Sequence, residues 1–465
     1  MRSAALRLAT LRETFSISFP LMLASLSIYL MYMIDRVILA CYSIQALNAV
    51  VPVISLTWAF WGGVSVMAGM SEILIAQSRN QNPQLIGKTI WHAIWLSLIA
   101  AAVLIPTACI LERTFYCHDA VQGDCFFWSM LFGVLDPLSF ALTTFFIGQG
   151  KTKFILLLTL AKTLWHAFFD YALIFGIAPW LPSLGAKGAP IASGLTMCIQ
   201  AAILFRYFLK KTNRFQFGTG DCRPRFNLLL HIVKLTGPLA LLYNIELWGW
   251  GLFYMIIATS SHVHITVSSL CESLICFFMF IADGLYRGSL LQASHSIAQG
   301  KENHLYRIFI SVSMILGICL LIQLLVLWVS PSIYLSALTP LTEDLRSLLP
   351  AFETCIRFAF FYLFFQGMQW LLSAFLCAIG ETLPMMFTGT VGLFAFLVLP
   401  TYFFIYKRGY SVEWAWGIVL FYSILCCAFY SSIFLKRLRK KGTKPRWSPI
   451  ALEELALSLV HEKSS

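Results

Sequence analysis

The chain has 465 residues, the length of about three ordinary soluble domains, yet 59% of it is hydrophobic, 15% aromatic and only 12% charged. A soluble globule of this size could not cover itself with so little polar surface, whereas about 20 apolar residues per crossing would give roughly a dozen bilayer-spanning helices. A soluble enzyme, a nucleic-acid-binding module and a disordered protein are excluded, and the net charge of +12 reads as a topology signal because the basic residues flank apolar segments.

An all-α integral membrane protein is predicted, with twelve spans at about 15–40, 47–70, 88–111, 126–147, 154–177, 188–209, 231–258, 264–284, 306–331, 352–378, 384–406 and 412–435. They form two six-helix lobes, 1–209 and 231–436, separated by a hydrophilic loop at 210–230 and followed by a basic tail at 437–465. Pro20, Pro52, Pro137, Pro238, Pro384 and Pro400 lie in or at the ends of spans, where each removes a backbone donor and can bend its helix. The first apolar run is too long for a signal peptide, lacks a small-residue cleavage site and is read as a retained first helix.

Lys and Arg concentrate in one set of loops. Arg2, Arg7, Arg12, Arg79, Lys88, Lys151, Lys153, the 206–225 cluster, Arg287, Lys301, Arg307 and the C-terminal basic run share one side, against a few residues such as Arg113, Lys187, Arg346, Lys407 and Arg408. Both termini are therefore expected in the cytoplasm of a multi-pass protein of the cell (inner) membrane. The two halves echo each other. Phe19-Pro20-Leu21 corresponds to Gly237-Pro238-Leu239, and Phe145…Gly150-Lys151-Thr152 to Phe375…Gly380-Glu381-Thr382, in the same order. Parallel repeats about an axis along the membrane normal are a transporter architecture.

Charged residues inside spans are costly, about 2.5–3.5 kcal/mol each on insertion scales, so those retained are functional candidates. They are Asp35 in span 1, Asp136 in span 4, Lys162, His166 and Asp170 in span 5, Glu246 in span 7 and Asp283 in span 8, with Arg36 beside Asp35. His166 and Asp170 share a helix face, and a carboxylate beside an imidazole in a semi-dry cavity could bind and release a proton; a buried structural pair is the alternative, and function is favoured. Asp283 has Arg287 four residues on and reads as a structural ion pair. Asp136 precedes Pro137 and either caps a bent helix or faces water, Arg36 is expected to snorkel outward, and Lys162 reaches either the headgroups or the bundle interior. Cys117 and Cys125 lie in one outer loop, either as a disulfide or as free thiols. Neither a phosphate-gripping Gly-rich loop nor an HExxH motif is present, so no enzyme is expected.

In order and spacing these features resemble the multidrug and toxic compound extrusion (MATE) transporters of the multidrug/oligosaccharide-lipid/polysaccharide exporter superfamily, over roughly residues 10–436. The resemblance rests on Pro20 with Asp35, Ala76-Gln77, His166-x-x-x-Asp170-Tyr171, Leu173-Ile174-Phe175-Gly176, the Leu184-to-Ser193 segment, Pro238 with Glu246, Tyr362 with Gln366, and Leu399-Pro400. It implies two lobes working by alternating access, exporting small amphipathic or cationic organic compounds in exchange for H⁺ or Na⁺. It further implies an N-lobe ion-coupling site of Asp35, His166 in place of Asn, Asp170, and Ser193 in place of Thr. A C-lobe site of Glu246, Tyr362, and Gln366 in place of Asp is implied as well. His166 is a poor Na⁺ ligand and Gln366 removes a carboxylate, which favours H⁺. The expected cycle has outside protons neutralise Asp35 and Asp170, after which span 1 repacks and releases the bound cation. No cofactor and no metal centre is expected, the partners being the lipid bilayer and a small substrate handled by a monomer, with no nucleic acid. A flippase for a lipid-linked oligosaccharide or another lipid is the alternative; it would want a basic cavity, whereas these buried charges are mainly acidic.

Overall fold

A computed structural model describes residues 2–78, 82–116, 120–177, 182–301, 303–329 and 348–439. Cys117 and the tail beyond 439 lie outside these residues, and Cys125 is a buried free thiol. Among the described residues the chain is helical, without a β-strand, as it must be where no water can satisfy backbone groups. The first half comprises α1 (Arg2–Tyr42), α2 (Ile44–Gly69), α3 (Ser71–Ser78), α4 (Gln84–Phe115), α5 (Ala120–Phe132), α6 (Leu135–Gly148), α7 (Thr152–Phe175) and α8 (Gly188–Phe208). A short α9 (Lys211–Phe217) leads to α10 (Phe226–Ser260), α11 (His262–Ala298), α12 (Asn303–Val329), α13 (Leu349–Ala378), α14 (Thr382–Leu393) and α15 (Val412–Arg439).

Eleven segments among the described residues are long and apolar enough to cross a membrane. The twelfth expected span is α7, a 24-residue helix that falls short in hydropathy because it carries Lys162, His166 and Asp170. Span 4 is split into α5 and α6 at Gly133, where a Cβ would run into the Trp61 ring; Trp61 Nε1 donates to the Met130 carbonyl at 3.2 Å. Beyond α14 the chain winds as wider π-turns, Phe394–Val398 and Thr401–Lys407, on either side of Pro400. Thr401 Oγ1 donates to the Leu397 carbonyl at 2.7 Å, serving the stretch where proline supplies no N–H.

The repeat is visible as geometry. α6 and α13 both end in a left-handed glycine, Gly150 with φ 76° and Gly380 with φ 81°. The same two bonds close both ends: Gly150 N to Ile147 O and Lys151 N to Phe146 O, then Gly380 N to Cys377 O and Glu381 N to Leu376 O. A side chain at either glycine would be strained, so the two matched motifs mark equivalent helix stops.

The chain divides into two compact units. Of the described residues, one contains Ser27–Asn244 with Ile297–Gln299; the other contains those up to Leu26 together with Ile245–Ser296 and those from 300 to 439. Two of the handovers fall six residues after a proline inside a helix, Pro20 in α1 and Pro238 in α10; another falls near the end of α11, after Ser296.

In the second of these units the first part of α1 packs antiparallel on α11. Thr14 donates to Gln292 at 2.9 Å, a Cβ at Gly288 would lie 2.9 Å from the Ser18 Cβ, a Cβ at Gly284 would strike the Met22 backbone, and Ser25 donates to Asp283. The residue numbers of the first three pairs add to 306 in each case, the register of a close small-residue helix crossing. Asp283 also pairs with Arg287 at 3.7 Å, the intrahelical ion pair its spacing suggested. In the other unit, Asn244 Oδ1 accepts from Gly63 N at 2.9 Å, and Leu228 and Ile232 of α10 pack with Leu74 and Leu85. There the polar 210–230 loop is fastened to α4: Trp91 and Trp95 donate to the Thr219 and Cys222 carbonyls at 2.9 and 3.0 Å, and His92 Nε2 accepts from Arg225 N at 2.8 Å.

Candidate functional site

α7 shows how the first site is built. Leu157, Leu160, Leu164, Phe168 and Tyr171 are exposed on one face, whereas Ile155, Leu158, Lys162, His166 and Asp170 are buried on the other. The pattern is inverted relative to a water-soluble helix: the apolar stripe faces outward, as lipid requires, and the polar stripe turns inward. Lys162, His166 and Asp170 stand at successive steps of four, so they form one column.

α1 supplies the third side of the site. His166 Nε2 lies 2.5 Å from Asp35 Oδ1 and 3.3 Å from Asp170 Oδ2, so a single ring nitrogen faces both carboxylates. The relative exposures are 6% for Asp35, 1% for His166 and 0% for Asp170. His166 Nδ1 has no hydrogen-bond partner among the described residues, and the Asp170 carboxyl has only His166 Nε2 and the Asp35 carboxyl beside it. One atom from each of the three residues falls within 4.8 Å of the others. Two acids and one base in so dry a place leave a net negative charge even when the imidazole is cationic, and such a charge is costly unless a further positive charge arrives. One ring nitrogen between two carboxylates is an arrangement that can bind and release a proton, and the same three ligand atoms lie close enough together to hold a metal ion.

Lys162 is buried on the inward face of α7, at 8% exposure, rather than reaching out to headgroups. Ser193 is half-buried on α8 and contributes no hydrogen bond to the trio. Arg36 is exposed, as expected for a residue that cannot face its neighbour Asp35.

The other unit holds the second expected group. Glu246 on α10 is half-buried and belongs to the same unit as Tyr362 on α13 and Tyr422 and Tyr430 on α15. Trp250, one turn beyond Glu246, meets the Tyr362 ring edge-to-face with centroids 6.0 Å apart. Gln366 is buried one turn from Tyr362 with its Oε1 unpartnered. The aromatic frame of Trp250, Tyr422 and Tyr430 was not singled out from the sequence, since aromatics abound along the whole chain. Nor did spacing reveal that Asp35 and Asp170 meet at one nitrogen, because the two lie on different helices.

No family profile matches the chain. It is 21% identical over 294 residues to a probable multidrug resistance protein NorM of Listeria innocua, spanning 59% of this chain and 63% of that protein. To a probable NorM of Xanthomonas axonopodis pv. citri it is 24% identical over 316 residues, 64% of this chain and 66% of the other. The chain thus spans slightly under two thirds of the length of these curated relatives. Its structure superposes on an outward-facing multidrug resistance MATE family transporter of the MOP superfamily with a TM-score of 0.80 at 13% identity, covering 93% of this chain and 97% of that one. In sequence the chain resembles the multidrug and toxic compound extrusion transporters, and it has their fold.

Proposed function

We propose that the chain is a secondary active antiporter that exports small amphipathic or cationic organic compounds across the cell membrane in exchange for inward H⁺. The observation that carries this is the buried Asp35–His166–Asp170 trio, with one imidazole nitrogen 2.5 and 3.3 Å from two carboxylates. Protonation of such a trio removes both the attraction for a cation and the cost of burying charge, so it biases two conformations differently. The NorM relatives carry multidrug resistance in their names, which supports organic compounds as cargo. Glu246 beside Tyr362 is the corresponding acidic group of the second half and is assigned a supporting role in cation binding. An orientation with both termini in the cytoplasm of the inner membrane agrees with the distribution of Lys and Arg.

Reconstitution into proteoliposomes tests the reading. Efflux of ethidium should follow an imposed pH gradient, should be indifferent to a Na⁺ gradient at constant pH, and should be lost in Asp35→Asn. Efflux that follows Na⁺ alone would replace H⁺ as coupling ion, and equal proton-driven efflux by Asp35→Asn and the parent would overturn the mechanism.

A further inference from the structure

We propose that the segment 206–226, between α8 and α10, docks on anionic phospholipid headgroups of the bilayer that holds the chain. The segment carries Arg206, Lys210, Lys211, Arg214, Arg223 and Arg225 against one acid, Asp221. That acid is engaged locally: its carboxylate accepts from Arg225 Nη2 at 3.2 Å and from Arg223 N at 3.4 Å, and lies 3.8 Å from Lys88 Nζ. Arg206, Lys210, Lys211, Arg214 and Arg223 are exposed, and among the described residues none of their side chains has a carboxylate partner. Lys210 stands over the Tyr207 ring at 4.0 Å, and Arg214 Nε donates to the Leu209 carbonyl at 2.8 Å.

α9 is two-sided. Asn213 and Phe217 are buried, Asn213 Nδ2 donating to the Tyr207 carbonyl at 2.7 Å and Phe217 meeting Phe145 edge-to-face at 5.6 Å. Lys211, Arg214 and Phe215 are exposed, Phe215 at 88%, and so is Phe226 at the start of α10, at 75%. The loop is pinned, so these rings cannot fold away: Gln84 Nε2 donates to the Phe215 carbonyl at 2.7 Å and Thr219 Oγ1 to the Phe208 carbonyl at 3.0 Å, beside the bonds from Trp91 and Trp95. Rings held among cations at the end of a membrane-spanning helix suit the headgroup layer, which takes the rings at the acyl boundary and the cations at its phosphates.

The repeat supplies a second argument. In the second half Glu381, in the turn before α14, pairs at 3.5 Å with Arg437 at the end of α15, so that corner is neutralised from within. The matched position in the first half is Lys151, and the turn 149–151 contains no acid. Phe154, at 5.2 Å from Tyr207, brings the start of α7 and its exposed Lys153 to the same basic corner. There the internal glutamate of the other half is replaced by a base, and the complementary charge is left to the lipid.

The test is hydrogen–deuterium exchange of the purified full chain in nanodiscs of phosphatidylcholine, alone or mixed with phosphatidylglycerol. Amides of 206–226 should exchange about fivefold more slowly in the mixed discs, the effect of one cation seated at an anionic surface. The difference should vanish in about 1 M NaCl, where charges are screened beyond about 3 Å. It should also vanish in Lys210→Gln/Lys211→Gln/Arg214→Gln, and shrink in Phe215→Ser. Inorganic phosphate added to phosphatidylcholine discs should not reproduce it. Equal exchange in the two kinds of disc, a difference that survives salt or the triple variant, or one that free phosphate reproduces, overturns the proposal. Should the triple variant fail to fold, the parent's response to lipid and salt decides alone. No transport enters the measurement, so its outcome stands apart from that of the export reading.

Discussion

Replacing His166 by leucine removes the one base that stands between two buried acids. The ring nitrogen lost lies 2.5 Å from Asp35 and 3.3 Å from Asp170, and the three residues are 6%, 1% and 0% exposed in chain order. Removing one partner of a buried ion pair costs about 3–5 kcal/mol, because the surviving charge keeps its desolvation penalty and loses its compensation. That corresponds to about two to three and a half decades in a two-state equilibrium, or a fall in melting temperature on the order of 10 °C. The measurement is thermal unfolding of parent and variant in detergent at about pH 8 and about pH 5. At the acid end the orphaned carboxyls take up protons and can share a hydrogen bond, so the deficit should shrink to less than half its alkaline value. His166→Asn, which returns a hydrogen-bonding group without a charge, should fall between the two. A deficit of equal size at both pH values would mean that His166 acts through packing alone, and no deficit at pH 8 would mean that the acids are solvated.

Gly284→Leu should destabilise the chain by about 1–3 kcal/mol, since the new side chain meets the Met22 backbone rather than a movable side-chain end; a melting temperature unchanged from the parent would refute the α1–α11 register. In the same seam Thr14→Val alone should cost about 1–3 kcal/mol by stranding Gln292, whereas Thr14→Val combined with Gln292→Leu should recover most of it, as a double-mutant cycle in melting temperature would show. Glu246→Gln should raise thermal stability by about 1 kcal/mol while lowering ethidium efflux, because a half-buried acid among Tyr362, Tyr422 and Tyr430 trades stability for cation binding; unchanged stability together with unchanged efflux would remove it from the site.

The number, order and repeat of the helices were legible in the sequence because lipid imposes a length and a composition on each crossing, and because Gly150 and Gly380 are needed at equivalent helix ends. Asp35, His166 and Asp170 stood out for a related reason, since apolar surroundings make each acid conspicuous. What the sequence withheld was convergence. Lys162 is long enough to reach either a headgroup or an interior carboxylate, and only the placement of α7's exposed leucines on the opposite face decides for the interior. Asp136 lies half-buried in the first turn of α6, just before Pro137, so it is neither fully in water nor fully enclosed. The expected part of Ser193 in the N-lobe site finds no hydrogen bond to the trio, because a hydroxyl on α8 is positioned by helix packing that spacing along the chain does not specify.

α1 and α10 each divide their residues between the two units. Up to Leu26, α1 is fixed on α11 by the small-residue seam; from Ser27 it belongs with the helices that complete the Asp35 site. α10 does the converse, packing with Gly63 and Leu74 up to Asn244 and then entering the other unit with Glu246. Glu246 sits two residues beyond Asn244 and Asp35 nine beyond Leu26, and each of these two handovers follows a proline by six residues. A proline inside a helix deletes one backbone hydrogen bond and lowers the cost of bending there. In α1 the proline lies inside the seam, between Ser18 and Met22, so a bend there acts on the seamed part of the helix itself, whereas Asp35 stands nine residues beyond Leu26.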